Sequence, residues 1–296
     1  GSVGQYGPLV HFGATMTEVL LKYIRIKIDR RVFIACGVAG AISAGFNAPI
    51  AGVLFAHEAL LRRISVGAIG PIAVTSIVAY AANQAFFTLE PMFSLPDMPI
   101  ELQPLIPFLI FTAVFSALTS VAYMAAIRKG RELATRSQWS MPKLLLSCVV
   151  VVGAIGVVVP DVAGLGLRQI NQMLDAQFGL GMLLVLLAGK IFVTAYCLNT
   201  GFFGGVFGPA LFVGAATGAV VAHVAILLGL APHLSYALPV AAIAAVGGAV
   251  IGAPLTAIMI VIELTGSYAY GLSAMLCAIL CSLLTLRFFG LSYFDR

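Results

Sequence analysis

Two stretches of this chain repeat one another, and the repeat limits the possible folds more tightly than any other feature. Gly4–Thr15 (GQYGPLVHFGAT) laid on Gly205–Ala216 (GVFGPALFVGAA) gives identity at Gly4/Gly205, Gly7/Gly208, Pro8/Pro209, Gly13/Gly214 and Ala14/Ala215, with Tyr6 opposite Phe207. A second pair follows in the same order: Asn47–Glu58 on Gly252–Glu263 matches Ala48/Ala253, Pro49/Pro254 and Glu58/Glu263. The offsets, 201 and 205, mark one duplication with a small insertion. Residues 104–203 precede the second glycine motif and only three residues precede the first. Equal repeats would therefore put residues 1–103 in the remainder of a first repeat whose front is missing, and residues 104–296 in the second.

The solvent for this duplication is a bilayer. Hydrophobic residues make up 61% of the chain and charged residues 9%, with a mean hydropathy of +1.08, against about a quarter charged in a soluble domain. The expected fold class is all-α, a polytopic membrane protein. The net charge of +5 is no nucleic-acid footprint, because the basic residues are not interleaved with a polar aromatic surface. They form three clusters: Lys22, Arg25, Lys27, Arg30 and Arg31; then Arg62 and Arg63; then Arg128, Lys129, Arg131, Arg136 and Lys143. Glu90, Asp97 and Glu101 lie in a stretch with no Lys or Arg. The positive-inside rule makes the clusters cytoplasmic and residues 89–103 external, which demands a crossing near 66–88 and a return near 104–127.

The apolar pattern predicts helices at 8–24, 32–45, 49–62, 66–88, 104–130, 143–160, 163–176, 179–198, 207–229, 235–250, 254–265 and 268–288. The pieces 32–45 and 49–62 stand between two cytoplasmic clusters, so together they enter the membrane and return. The pieces 235–250 and 254–265 share that interrupted form. Such broken helices occur at membrane depth where protein or a water-filled cavity surrounds them, and duplications of this kind are commonly inverted. Four starts carry proline at the first helical turn: Gly7-Pro8, Ala48-Pro49, Gly208-Pro209 and Ala253-Pro254. An inverted pair of Gly-Pro starts brings two helix N-termini together, each with about half a positive charge and unpaired N–H donors. Amides around Tyr6, Val206 and Phe207 would then hold an anion without any Lys or Arg, weakly enough to release it. For Gly7 and Gly208 the ligand role is the expectation; for Gly214 and Gly218 it is close helix packing.

With GQYGP, GGVFGP, FNAPIAGVLFAHE, GAPLTAIMIVIEL and the Tyr293 of LSYFDR in place, the chain resembles the CLC family of chloride channels and chloride/proton antiporters along essentially its whole length. The resemblance implies a homodimer whose subunits each carry a pore between inverted repeats. It implies that Gly205, Val206, Phe207 and Pro209 form an anion-binding loop, with Gly4 and Gly7 in its counterpart, and that the Tyr293 hydroxyl donates to the central anion. The family's serine-bearing GSGIP loop is absent, in keeping with a missing front. Its GREGP motif would put a gating glutamate at position 6; here Gln5 and Tyr6 replace Arg-Glu. A phenol with a reference pKa near 10 can block a pore but cannot act as a surrogate anion. Glu58 aligns with the family's internal proton-transfer glutamate, with His57 beside it.

Two alternatives stay open at this point. Glu58 is either part of a proton pathway or one half of an (i, i+4) ion pair with Arg62. The protein is either a passive channel for chloride or a similar small inorganic anion, gated by Tyr6, or a proton-coupled chloride antiporter using Glu58. Enzyme activity is not expected: His57-Glu58-Ala59-Leu60-Leu61 begins like the zinc-protease motif but has Leu at the fifth position. No cofactor or metal is expected either, since Cys36, Cys148, Cys197, Cys277 and Cys281 lack metal-ligand spacing and read as buried apolar residues. Lys190, in the middle of an apolar helix, would need a carboxylate or an aqueous vestibule. The expected location is the bacterial inner membrane.

Overall fold

The structure, a computed structural model, describes residues 1–23, 29–87, 92–93, 95, 101–290 and 293. Arg25, Lys27, Glu90 and Asp97 lie outside the described residues. The elements run α1 (Tyr6–Leu20), α2 (Arg30–Phe46), α3 (Pro49–Phe55), α4 (Val66–Phe86), α5 (Leu102–Arg136), α6 (Met141–Val158), α7 (Leu167–Leu174), α8 (Leu180–Asn199), α9 (Phe207–Leu227), α10 (Pro232–Ser235), α11 (Ala237–Ile251), α12 (Pro254–Thr265) and α13 (Tyr268–Phe289). Seven of the described spans are long and apolar enough to cross a membrane: α4, α5, α6, α8, α9, α10 with α11, and α13. The protein is a multi-pass membrane protein, all-α as expected.

The half-length pieces form as the prolines dictate. α2 ends at Asn47 in the left-handed region (φ 55°), and Ala48 turns the chain (φ −134°, ψ 83°) into Pro49 at the start of α3. The second copy repeats this residue for residue: α11 ends at Gly252 (φ 70°) and Ala253 (φ −136°, ψ 69°) leads into Pro254 of α12. Asn tolerates the left-handed conformation that glycine adopts freely, so two different residues serve one turn. After Phe55, α3 continues as a π-helical turn over Ala56–Leu61, ending at Arg62 with φ 53°. The second copy passes from Glu263 to the left-handed Gly266 in three residues, whereas the first takes four from Glu58 to Arg62. One inserted residue is what a π-turn accommodates.

The core lies where α9 and α11 cross. Almost every residue of both helices is buried, and both are small or apolar throughout. A Cβ on Gly214 would stand 2.6 Å from the Ala242 carbonyl, and one on Gly218 would stand 2.4 Å from Pro239 Cα. These glycines set the helix separation, the packing role expected for them. The α1–α2 crossing is built the same way, since a Cβ on Gly13 would stand 2.5 Å from the Gly37 carbonyl. All five cysteines are free and buried.

Residues 163–176 depart from the expected single helix. A 3₁₀ turn over Pro160–Val162 precedes Gly164 (φ 73°) and Gly166 (φ 80°), and α7 begins only at Leu167. The left-handed glycines stop the helix and turn the Val162 and Gly164 carbonyls toward Lys190.

Candidate functional site

The two glycine motifs meet. Gly4 N–H donates to the Gly205 carbonyl at 2.7 Å and Gly205 N–H donates to the Gly4 carbonyl at 2.7 Å, an isolated antiparallel bridge. Residues that the sequence alignment equates are thus each other's partners, the exchange a two-fold relation produces. A Cβ on Gly7 would lie 2.8 Å from Gly205 Cα, and one on Gly208 would lie 3.2 Å from Gly4 Cα. The glycines are therefore demanded by backbone approaching backbone. The Gly4 and Gly205 N–H groups are engaged in this bridge, each donating to the other residue's carbonyl. The remaining donors at the junction are the first-turn N–H groups of Tyr6 and Gly7 on α1 and of Phe207 and Gly208 on α9. Helix geometry leaves these without intrahelical acceptors, and Pro8 and Pro209 follow with no N–H to offer.

Val206 and Phe207 point into two different layers. Phe207 joins Tyr6 and Phe46 in an aromatic triad: Tyr6 stacks on Phe46 with centroids 3.7 Å apart, and Phe207 meets Tyr6 edge-on at 6.2 Å and Phe46 at 5.6 Å. Tyr6 is 3% exposed, and its hydroxyl is directed at Met92 Sδ, 3.8 Å away. Met92 belongs to the segment expected outside, and its carbonyl accepts from Asn171 of α7. Val206 belongs to the other layer, packed with Tyr123, Ala210 and Val213, against which Tyr293 lies. The Tyr123 hydroxyl donates to the Val206 carbonyl at 2.9 Å. The Tyr293 hydroxyl accepts from Arg131 Nη2 at 3.2 Å, and Arg131 belongs to a cluster expected to be cytoplasmic. Tyr6 thus stands with the segment expected outside and Tyr293 with a basic cluster expected inside.

Glu58 and Glu263 have a reciprocal task. Both Glu58 oxygens turn to the first turn of α12, accepting from Leu255 N–H at 3.1 Å, Thr256 N–H at 2.8 Å and the Thr256 hydroxyl at 2.8 Å. Glu263 accepts from Ile50 N–H at 2.8 Å and Ala51 N–H at 2.7 Å, in the first turn of α3. The donors are equivalent at the offset of 205: Ile50 with Leu255, Ala51 with Thr256. Each carboxylate caps the half-helix of the other copy, where a helix N-terminus favours negative charge. His57 is 3% exposed, with Nδ1 3.0 Å from the Val53 carbonyl and Nε2 buried without a partner.

Residues 1–286 match the family described as voltage gated chloride channel. The chain belongs to that family. Among its relatives, a putative chloride channel protein ClcB-like from Ralstonia nicotianae is 30% identical over 287 residues, covering 94% of this chain and 66% of the relative. The H(+)/Cl(-) exchange transporter ClcA of Vibrio cholerae is 31% identical over 279 residues, covering 90% of this chain and 59% of the relative. The chain thus spans less than two thirds of the length of these curated relatives. The crystal structure of a slow cyanobacterial Cl-/H+ antiporter matches with a TM-score of 0.85 at 20% identity, over 99% of this chain and 70% of the other. A CLC-type fluoride/proton antiporter matches at 0.82 and 21% identity, over 100% of this chain and 72% of the other. At that identity the two structures establish the CLC fold.

Sequence reasoning about this family member missed Phe46, Tyr123, Met92 and Arg131. Phe46 directly precedes the Asn47-Ala48-Pro49 turn and so was within reach of the repeat. Tyr123 lies inside a long apolar helix, and nothing in its spacing points to Val206.

Proposed function

We propose that the protein carries chloride or a similar small inorganic anion across the membrane, passively, through the junction of the α1 and α9 N-termini, with Tyr6 as its outer plug. One observation carries the reading: at the Gly4–Gly205 bridge the residue facing the junction from α1 is a neutral phenol stacked on Phe46. A carboxylate there could compete with an anion and take up a proton; a stacked ring can only obstruct. Backbone donors at two helix ends attract an anion with partial charges and let it leave. The protein works as a homodimer in the bacterial inner membrane, with residues 1–103 as the remainder of the first repeat and 104–296 as the second.

A second reading is proton-coupled exchange, favoured by the names of the Vibrio relatives and by the unpartnered, buried Nε2 of His57. Glu58 is a poorer carrier, because its oxygens are engaged by α12. The deciding experiment is chloride efflux from proteoliposomes with external pH recorded. Chloride movement without proton movement supports the passive pathway. Protons driven uphill at a fixed ratio to chloride would refute it and establish exchange.

A further inference from the structure

Lys190 sits in the middle of α8 with 0% exposure. Its Nζ donates to the Val162 carbonyl at 3.2 Å and to the Gly164 carbonyl at 2.8 Å, and stands 4.6 Å above the Phe212 ring. Among the described residues no carboxylate pairs with it, so the expected counter-ion is replaced by two carbonyl dipoles and a ring face. These satisfy the ammonium protons but leave its net charge in place. The surroundings are built for it. A Cβ on Gly166 would stand 2.4 Å from Phe212 Cδ2 and 3.4 Å from Lys190 Nζ, at a φ of 80° that disfavours any side chain.

The cradle is tied to the anion junction from both sides. Gly164 N–H donates to the Gly1 carbonyl at 3.0 Å, and Ser2 Oγ lies 3.2 Å from Thr194 Oγ1, one turn along α8 from Lys190. Both contacts hold the segment that leads into Gly4. On the other side Phe212 is five residues from Phe207 on α9, roughly 7.5 Å along the helix axis. The ammonium is enclosed and turned to these carbonyls and the Phe212 ring, so it does not itself ligate an anion at the helix ends.

A charge buried in a membrane protein is costly, and a residue needed only for packing could be Met or Leu at lower cost. We infer that Lys190 is the fixed positive charge that sets the anion affinity of the pathway, acting through space while the backbone donors do the ligating. This inference rests on the anion-transport reading above. At an effective dielectric of about 20 and a separation on the order of 10 Å, one unit charge shifts anion affinity on the order of tenfold.

The test compares Lys190→Met, Lys190→Gln and Lys190→Arg in chloride-binding calorimetry and in the chloride dependence of flux from proteoliposomes, with thermal unfolding of each variant. The Met and Gln variants are expected to bind chloride about tenfold more weakly and the Arg variant close to wild type. Gln keeps donors for the two carbonyls if Met fails to fold. A folded Met or Gln variant with unchanged affinity would overturn the inference, as would equal weakening in a folded Arg variant, which would assign the effect to packing. A wild-type protein that binds chloride but carries none would sink the transport reading and leave the binding comparison to decide on Lys190.

Discussion

Removing the Glu58 carboxylate separates a helix cap from a proton carrier. In Glu58→Ala the α12 first turn loses acceptors for Leu255 N–H and Thr256 N–H, and Thr256, unlike the exposed Leu255, is buried where water cannot replace its acceptor. Two charge-assisted bonds at the lower end of their range, about 1.5 kcal/mol each, put the loss near 3 kcal/mol. Glu58→Gln keeps one acceptor oxygen and should cost about half as much. Glu263→Ala should fall in the same range, since Ile50 and Ala51 N–H lose the equivalent acceptor. The two losses should not add, because α3 and α12 pack together and each is capped from the other's copy. Chemical unfolding in detergent reads these differences, and chloride and proton flux in proteoliposomes reads the alternative. Capping predicts large destabilisation in both Ala variants, milder loss in Glu58→Gln, and chloride flux retained in Glu58→Gln. A Glu58→Gln protein as stable as wild type, with proton movement abolished, would refute the reasoning and restore Glu58 to a proton pathway.

Tyr6→Ala should speed chloride efflux while costing about 3 kcal/mol of stability, because it empties the space between Phe46 and Phe207; Tyr6→Phe, which keeps the ring and loses the hydroxyl's contacts to Met92 and Gln5, should flux like wild type. Equal flux in Tyr6→Ala and wild type would remove Tyr6 from the gate. Gly205→Ala places a Cβ 2.7 Å from Gly7 N, a backbone clash expected to cost about 3 kcal/mol and lower folded yield in gel filtration. Tyr123→Phe leaves the Val206 carbonyl without its 2.9 Å donor and should cost about 1 kcal/mol in unfolding measurements.

Much of the frame was legible because its signals are local. Proline after Gly7, Ala48, Gly208 and Ala253 marks helix starts whatever surrounds them, and the internal match paired Glu58 with Glu263. The site was less legible. That Gly4 and Gly205 would satisfy each other's amides depends on two loops meeting across the fold, and glycine reads alike whether a ligand or another backbone approaches it. The Lys190 partners were hidden for a related reason. Carbonyls carry no sequence signature, so the search for a carboxylate looked for the wrong chemistry, and the only local trace was the Gly164 and Gly166 pair that breaks the expected helix. Tyr123 had no trace at all.

The frame and the path obey different rules. Where the copies are equivalent they interlock: Gly4 with Gly205, Glu58 on α12, Glu263 on α3. A substitution at one of these positions disturbs both copies, so they bear on stability. Where the copies differ, the differences collect along the line an anion would take. Tyr6 meets Phe207 in one layer and Tyr293 stands with Val206 in the other. A pathway whose two ends were identical could not close at one side alone. Reciprocity at the frame together with asymmetry along the path is therefore what a gated conduit through a duplicated fold requires, and it locates the residues whose exchange should alter flux more than folding: the Tyr6 ring, Tyr293 and Lys190.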